Sequence, residues 1–235
     1  MSPKRNEILD VEREPYRSAS AGGTMEMIVS FMRHGLRSGR LIPGQHLLEP
    51  DLTRQLGCSR GSLRAALIHL AGEGVVTLSR FRGAHISILN RKDIEDLLDV
   101  LENLVTFTAI RACRNIGEPA RRTAVERAMA ELKAFRSSGE NADYLEKRQA
   151  FYDALIFASG NGEIGRIIPM LRADLLRVQL QTMHSHWDRR PHVDGYLAIG
   201  KAVLGGNVNA VERAVKRHVD NTRDALKSSD LGPNT

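Results

Sequence analysis

Gly57-Cys58-Ser59-Arg60-Gly61-Ser62-Leu63-Arg64-Ala65-Ala66-Leu67-Ile68-His69-Leu70 is the stretch around which the rest of the chain is organised. At helical period, Leu63, Ala66, Leu67 and Leu70 form one apolar stripe, and Arg60, Gly61 and Arg64 fall on the opposite face. Ser59 stands at the N-cap position, where its hydroxyl can accept from an orphan amide of the first turn. Upstream, Leu52 and Leu56 mark a short helix that Gly57 can end, leaving a tight turn between two helices. Downstream, Gly72-Glu73-Gly74 breaks the helix, and two β-leaning runs follow, Val75 to Leu78 and Ala84 to Ile88. The tip between them is Ser79-Arg80-Phe81-Arg82-Gly83. This order predicts a winged helix-turn-helix, with a basic helix face for the major groove of DNA and a basic hairpin tip beside it.

Several motifs in this region carry a resemblance. Ser38-Gly39-Arg40-Leu41-Ile42-Pro43-Gly44-Gln45, Leu56-Gly57-Cys58-Ser59-Arg60, Leu63-Arg64-Ala65-Ala66-Leu67 and Arg82-Gly83-Ala84 resemble the GntR family of bacterial regulators in order and spacing. The family pattern has Pro or Thr near Ser62 and Glu at Ala65, so the match departs at those two positions. The resemblance implies a transcription regulator, most often a repressor. It would bind a near-palindromic double-stranded DNA operator as a homodimer, with two recognition helices in successive major grooves. Arg60 and Arg64 are the expected base readers, since arginine can bridge guanine O6 and N7. Ser59 and Ser62 suit phosphate contacts, and Gly61 lets the backbone come close. At the wing, Arg82 and Gly83 are expected in the minor groove and Arg80 on the DNA backbone.

The totals agree with such a reading. In 235 residues with 42% apolar and 26% charged content there is room for one large or two small domains with a real core. Aromatic residues are only 5%, and β-leaning runs are few, so helix should dominate. No apolar run has the length of a membrane span, and the first residues lack the apolar segment of a secretion signal. Cys58 and Cys113 stand far apart without metal-like spacing, which suits a reducing, cytoplasmic setting; Cys58 is expected in a small buried slot beside the turn glycine. The net charge of +6 is uneven: Arg17 to Leu89 holds nine Arg against four Asp or Glu. A basic head on a nearly neutral body points to a polyanion bound at one end.

The fold class expected is mostly α, an N-terminal winged helix-turn-helix domain followed by a C-terminal antiparallel bundle of six to seven helices. Residues 1–20 read as a flexible arm, 21–89 as the DNA-binding domain and 90–229 as an effector-binding and dimerisation domain. A first helix is predicted from Thr24 to Arg37, and Leu47-Leu48 leads into the short helix Glu49 to Leu56. After the junction Asn90 to Asp93, one stripe runs through Ile94, Leu97, Leu98, Leu101, Leu104, Val105 and Thr108. Helices are then predicted over Glu118 to Ser137, Asp143 to Ser159, Ile164 to Met183, Val193 to Leu204 and Asn207 to Lys227. Along nearly its whole length the chain resembles the FadR-type branch of the family, with an effector domain of the FCD kind. Control by a ligand would act at a movable joint, Ser87 to Asp93.

The informative anomaly of the second part is polar residues on apolar stripes. Arg148 and Tyr152 share a face with Leu145 and Leu155, His218 and Thr222 with Val211 and Val215, and Tyr196 with Ile199 and Val203. Each needs a counter-charge or hydrogen-bond partner, from the protein or from a ligand. Many FCD domains hold a metal with an Asp and a His four residues apart plus a His on each of two later helices. Matched on Ala158-Ser159-Gly160-Asn161 and on Asn207, those positions are Arg148, Tyr152, Tyr196 and His218 here, so one ligand of four survives. A guanidinium in the ring repels a divalent ion, so no metal and no other cofactor is expected at that site. In its place Arg148 can grip the carboxylate of a small-molecule effector, with Tyr152, Tyr196 and His218 around it and Arg172 as a further candidate. Alternatively, Arg148 pairs with an internal carboxylate such as Glu102. A rival regulator would sense metal through a non-standard set, His218 with the His184, His186 and His192 cluster around Trp187; the preferred reading of that cluster is a solvated connector. No phosphate-binding glycine loop and no nucleophile-base set is present, which speaks against an enzyme.

Overall fold

A computed structural model describes residues 23–137, 139, 141–168, 170–183 and 188–227. The proposed N-terminal arm, His184, His186 and Trp187 lie outside the described residues. The first unit consists of α1 (Thr24–Arg37), β1 (His46–Leu47), α2 (Glu49–Leu56), α3 (Arg60–Gly72), β2 (Val76–Ser79) and β3 (Gly83–Ile86). The strands form an antiparallel sheet in the order β1-β3-β2, with Leu47 opposite Ala84 and Ser79 opposite Gly83. β1 is a strand that periodicity does not reveal, because two residues are too short to show an alternation.

Local chemistry fixes the elements as expected around the turn. Gly57 takes the left-handed conformation (φ 61°) that ends α2. Ser59 Oγ accepts from Ser62 N at 3.1 Å, so the N-terminus of α3 is capped. Leu63, Ala66, Leu67 and Leu70 are fully buried with Ile28, Met32 and Leu36 of α1. Cys58 is half-buried rather than enclosed, lying at the rim of that core. At the wing, Gly83 has φ 69°, and a Cβ there would press on His46 of β1, so glycine meets both demands of this tight corner.

The second unit comprises α4 (Arg91–Asn115), α5 (Pro119–Ala134), α6 (Asn141–Ser159), α7 (Glu163–Ile167), α8 (Met170–Met183), α9 (Arg190–Leu204) and α10 (Val208–Lys227). α4 opens with a reciprocal capping box between Asn90 and Asp93. The single helix expected over Ile164 to Met183 is two. Ile168 is extended (ψ 121°) because the residue after it is a proline, which disfavours helical backbone one step earlier. Seven helices therefore follow the wing among the described residues.

α8 is the element between the two units. Its residues 173–180 are buried on every side, including Asp174, Arg177 and Gln179. Gln179 holds the chain at the junction by accepting from Leu89 N at 2.9 Å and donating to Leu89 O at 2.7 Å. Asp174 Oδ2 receives Arg37 Nε of α1 at 2.8 Å. Beside these contacts lies a cleft of about 870 Å³ whose walls include Arg33, Arg37, Asp93, Asp153, Arg166 and Arg172. None of the described helices is long and apolar enough to cross a membrane.

Candidate functional sites: a basic helix face and a buried arginine cavity

The basic face is built on α3 and the wing. Arg60, Gly61 and Arg64 are exposed on the side of α3 away from its buried stripe. Arg80, Arg82 and Gly83 are exposed at the hairpin, and Phe81 between them is 92% exposed. Among the described residues, none of the four arginines makes an ion pair, so their charges are available to an outside partner. Ser59 and Ser62 sit at the start of α3 with their hydroxyls 2.9 Å apart. The side chains named for DNA contact thus fall in two exposed places, the first turns of α3 and the tip of the wing.

The cavity is in the helical unit, lined by α4, α6, α8 and α10. It measures about 20 Å³, and its walls include Arg148, Tyr152, Arg177, His218 and Thr222 together with Leu98, Leu101, Val105, Val215 and Val219. That is space for roughly one water, so the site is closed in this conformation. Arg148 is 2% exposed. Its Nε donates to Tyr196 Oη at 2.8 Å and its Nη1 to Asp174 Oδ1 at 2.8 Å, while its planar group lies 5.1 Å from the centre of the Tyr152 ring. Burial works against the charge, but the Tyr196, Tyr152 and Asp174 oxygens more than offset it, so the guanidinium is held protonated. Burial also pushes the Tyr152 hydroxyl up, which keeps it a neutral hydrogen-bonding group.

These contacts revise the expected roles. Arg148 pairs with an internal carboxylate, which is Asp174 and not Glu102; Glu102 is engaged by Arg223 at 2.7 Å. Tyr196 is fully buried behind Arg148 as its support and does not line the cavity. Arg172 lies outside the cavity, on the interdomain cleft, with Nη2 3.6 Å from Asp93 and its Nε buried without a partner. His218 lies where expected, its ring 4.3 Å from that of Tyr196. Both of its ring nitrogens are buried without a hydrogen-bond partner among the described residues. A Cβ at Gly195 would overlap the His218 ring, so glycine is what allows α9 to approach α10 here.

A residue the stripe reading passed over completes the site. Arg177 of α8 donates from Nη1 to His192 Nδ1 at 2.9 Å and from Nη2 to Thr222 Oγ1 at 3.2 Å. The one-sided stripe that singled out Arg148 is lacking here; what the sequence carries is two charges inside the apolar run Ala173-Asp174-Leu175-Leu176-Arg177-Val178. The family's metal does not fit these residues. The position of one carboxylate ligand holds a guanidinium already paired to Asp174, and among the described residues no group of three His, Cys, Asp or Glu converges as a metal set.

Burial, with Arg177 and Arg148 nearby, holds His218 well below its ordinary value of 6.5, and burial with Arg177 and His218 does the same for His192. Both are neutral in the folded protein at pH 7. Above pH ~6.5 they are neutral unfolded as well, so they contribute no pH dependence there. Below it the unfolded chain takes protons that the native imidazoles refuse, so stability falls by up to ~1.4 kcal/mol per pH unit for each histidine. Urea midpoints measured between pH 7 and pH 5 should decline accordingly, and His218→Gln should remove about half of this contribution to the slope.

Comparison with known proteins places both halves. The model for bacterial regulatory proteins of the gntR family matches residues 24–86, and that for the FCD domain matches residues 96–221. An HTH-type transcriptional regulator from the TAR-I ttuE-ttuC' intergenic region of Agrobacterium vitis is 30% identical over 83 residues, 35% of this chain and 48% of that protein. An HTH-type regulator in an unstable DNA locus of Streptomyces ambofaciens is 25% identical over 179 residues, 76% of this chain and 75% of its own length. BphR of Paraburkholderia xenovorans is 22% identical over 231 residues, 94% of this chain and 92% of that one. Among solved structures, E. coli McbR/YncC superposes with a TM-score of 0.75 at 16% identity, covering 88% of this chain and 98% of that chain. A GntR regulator from Rhodococcus sp. RHA1 gives 0.70 at 20% identity over 87% and 98%.

Proposed function

The chain belongs to the GntR family of bacterial regulatory proteins and carries its FCD domain, so it is a DNA-binding transcription regulator and not an enzyme; from that premise we propose that it is a cytoplasmic repressor controlled by a small organic acid. In this reading residues 21–89 bind DNA, and 90–229 bind the effector and form a homodimer. The operator is a near-palindrome read by Arg60 and Arg64, with Ser59 and Ser62 on phosphates, Gly61 against the backbone, and Arg80, Arg82 and Gly83 at the flanking groove. The observation that carries it is the pair of exposed, unpaired arginines one turn apart on a capped helix whose other side is fully buried.

Ligand response draws its support from the cavity and from α8. Arg148, Tyr152 and His218 meet there, backed by Tyr196, and the same helix that lines the cavity holds Arg37 of α1 and Leu89 of the junction. A ligand that alters α8 therefore has a physical route to the DNA-binding unit, provided it binds the two states of the dimer with different affinity. The test is an anisotropy titration of DNA from upstream of the protein's own gene against random DNA at one fixed salt concentration. A regulator should prefer its site by about 10³-fold or more, whereas equal binding to both would reduce it to a charge-driven DNA coater.

A further inference from the structure

Among the described residues, side chains of α8 hold the DNA-binding unit at separate places. Arg172 lies against the turn that follows α3: a Cβ at Gly74 would stand 3.1 Å from its guanidinium. Asp174, fully buried, accepts from Arg37 Nε at the end of α1 at 2.8 Å, and Arg37 Nη2 adds a bond to Gln149 of α6 at 3.2 Å. Gln179 occupies both backbone polar groups of Leu89, just past the wing. The end of the first helix, the exit of α3 and the exit of the wing are thus each tied to one helix of the other unit. The connecting chain is held as well. Ser87 donates its N–H to Val75 O at 2.9 Å, its hydroxyl lies 2.9 Å from Thr77 Oγ1, Leu89 is buried, and Asn90 caps α4. A unit hung on a flexible linker would turn freely, whereas this one is seated.

Seating matters to a protein that reads two half-sites. Inserting two base pairs between them moves one half-site by about 7 Å and turns it by about 70°. A dimer whose DNA-binding units swing on linkers follows such a shift at small cost, because the second unit still finds its half-site at high effective concentration. A dimer whose units are seated cannot follow, and loses the contacts of one half-site. We propose that Arg172, Asp174 and Gln179, with Arg37 as the partner on α1, are positioning residues that fix the separation of the two α3 helices and so select the half-site spacing of the operator. The buried charge makes the seat a defined one. Asp174 keeps Arg148 on its other oxygen, so its place is set by the helical unit, and Arg37 must return to that oxygen to be paired. This inference rests on the reading of a dimer on a two-part operator, and names residues away from the exposed basic face that set its geometry.

The experiment uses the full chain on duplexes built from the DNA site that it selects from a random pool. One carries the two half-sites at the selected spacing, one has two base pairs inserted between them, and one holds a single half-site. Binding is read by anisotropy at one fixed salt concentration. For the parent chain the insertion should weaken binding by at least about thirtyfold, the loss of one half-site's arginine contacts. Arg37→Met frees the end of α1 and leaves Asp174 paired with Arg148, so it should cut that insertion penalty by at least about threefold. Affinity for the single half-site should stay within about twofold of the parent, because the basic face is untouched. Arg37→Lys, which keeps a positive charge beside Asp174, should restore most of the penalty. A loss of stability alone would weaken all three duplexes alike and leave the ratio unmoved. If Arg37→Met does not fold, Arg172→Ala, at a side chain 33% exposed, carries the same test with the same expected sign. An insertion that weakens the parent by less than about threefold, or a penalty unchanged in both Arg37→Met and Arg172→Ala, would overturn the assignment. A parent chain that selects no sequence overturns the broader reading and this inference with it. One that selects a palindrome and keeps its penalty in both variants overturns this inference alone.

Discussion

Asp174→Ala should be among the most damaging single substitutions in the protein, costing about 3–5 kcal/mol of stability. The carboxylate is fully buried and divides its two oxygens between Arg148 of α6 and Arg37 of α1. Its removal leaves the Arg148 guanidinium, 2% exposed, without a counter-charge, and loosens α1 from α8 at the same time. The contrast is with a surface pair such as Arg166–Glu163, whose side chains are 78% and 68% exposed and whose loss should cost about 1 kcal/mol or less. Against a total stability of roughly 5–15 kcal/mol, the loss at Asp174 is a large share. Combining it with Arg148→Met should recover much of the deficit, because an apolar side chain in that place no longer needs a partner. Urea unfolding of the three variants reads this out, with the midpoint moving and the slope constant if the native fold is kept.

Arg64→Ala should leave stability within about 0.5 kcal/mol of the parent, since the side chain is exposed and makes no hydrogen bond or ion pair among the described residues. Its effect should appear on DNA, as a loss of roughly 1–3 kcal/mol of discrimination at one base pair of each half-site. Two copies in a symmetric complex double that, which gives a drop in operator affinity of about 30-fold to 10⁴-fold. Arg60→Ala should behave alike at a neighbouring base pair. Arg80→Ala, on a phosphate, should instead weaken all sequences evenly and reduce the salt dependence by about one contact. Binding that stays equally selective in Arg64→Ala would remove that residue from the reading surface.

The elements that were legible in the sequence are those whose burial repeats at a fixed period. Leu63, Ala66, Leu67 and Leu70 announce α3 because one side of that helix is covered and the other is not. The capping serine and the left-handed glycine announce its start, each for a reason confined to three or four residues. What stayed hidden depends on contacts between distant segments. Arg148 and Asp174 are 26 residues apart, and Arg37 and Asp174 are 137 apart, so no local pattern pairs them. α8 is covered on all sides over 173–180, and a helix without an exposed face has no stripe from which Arg177 could stand out. The break that parts α7 from α8 was legible locally, at Pro169, whose effect on Ile168 is confined to one residue step.

The most direct measurement is selection of binding sites by the full chain from a pool of random double-stranded DNA at fixed salt. The expected result is enrichment of two inverted half-sites about one helical turn apart, lost when Arg60 and Arg64 are both replaced by alanine. A pool retained without sequence preference, or the same enriched sequence recovered by the double variant, would contradict the reading of α3 as the surface that recognises DNA.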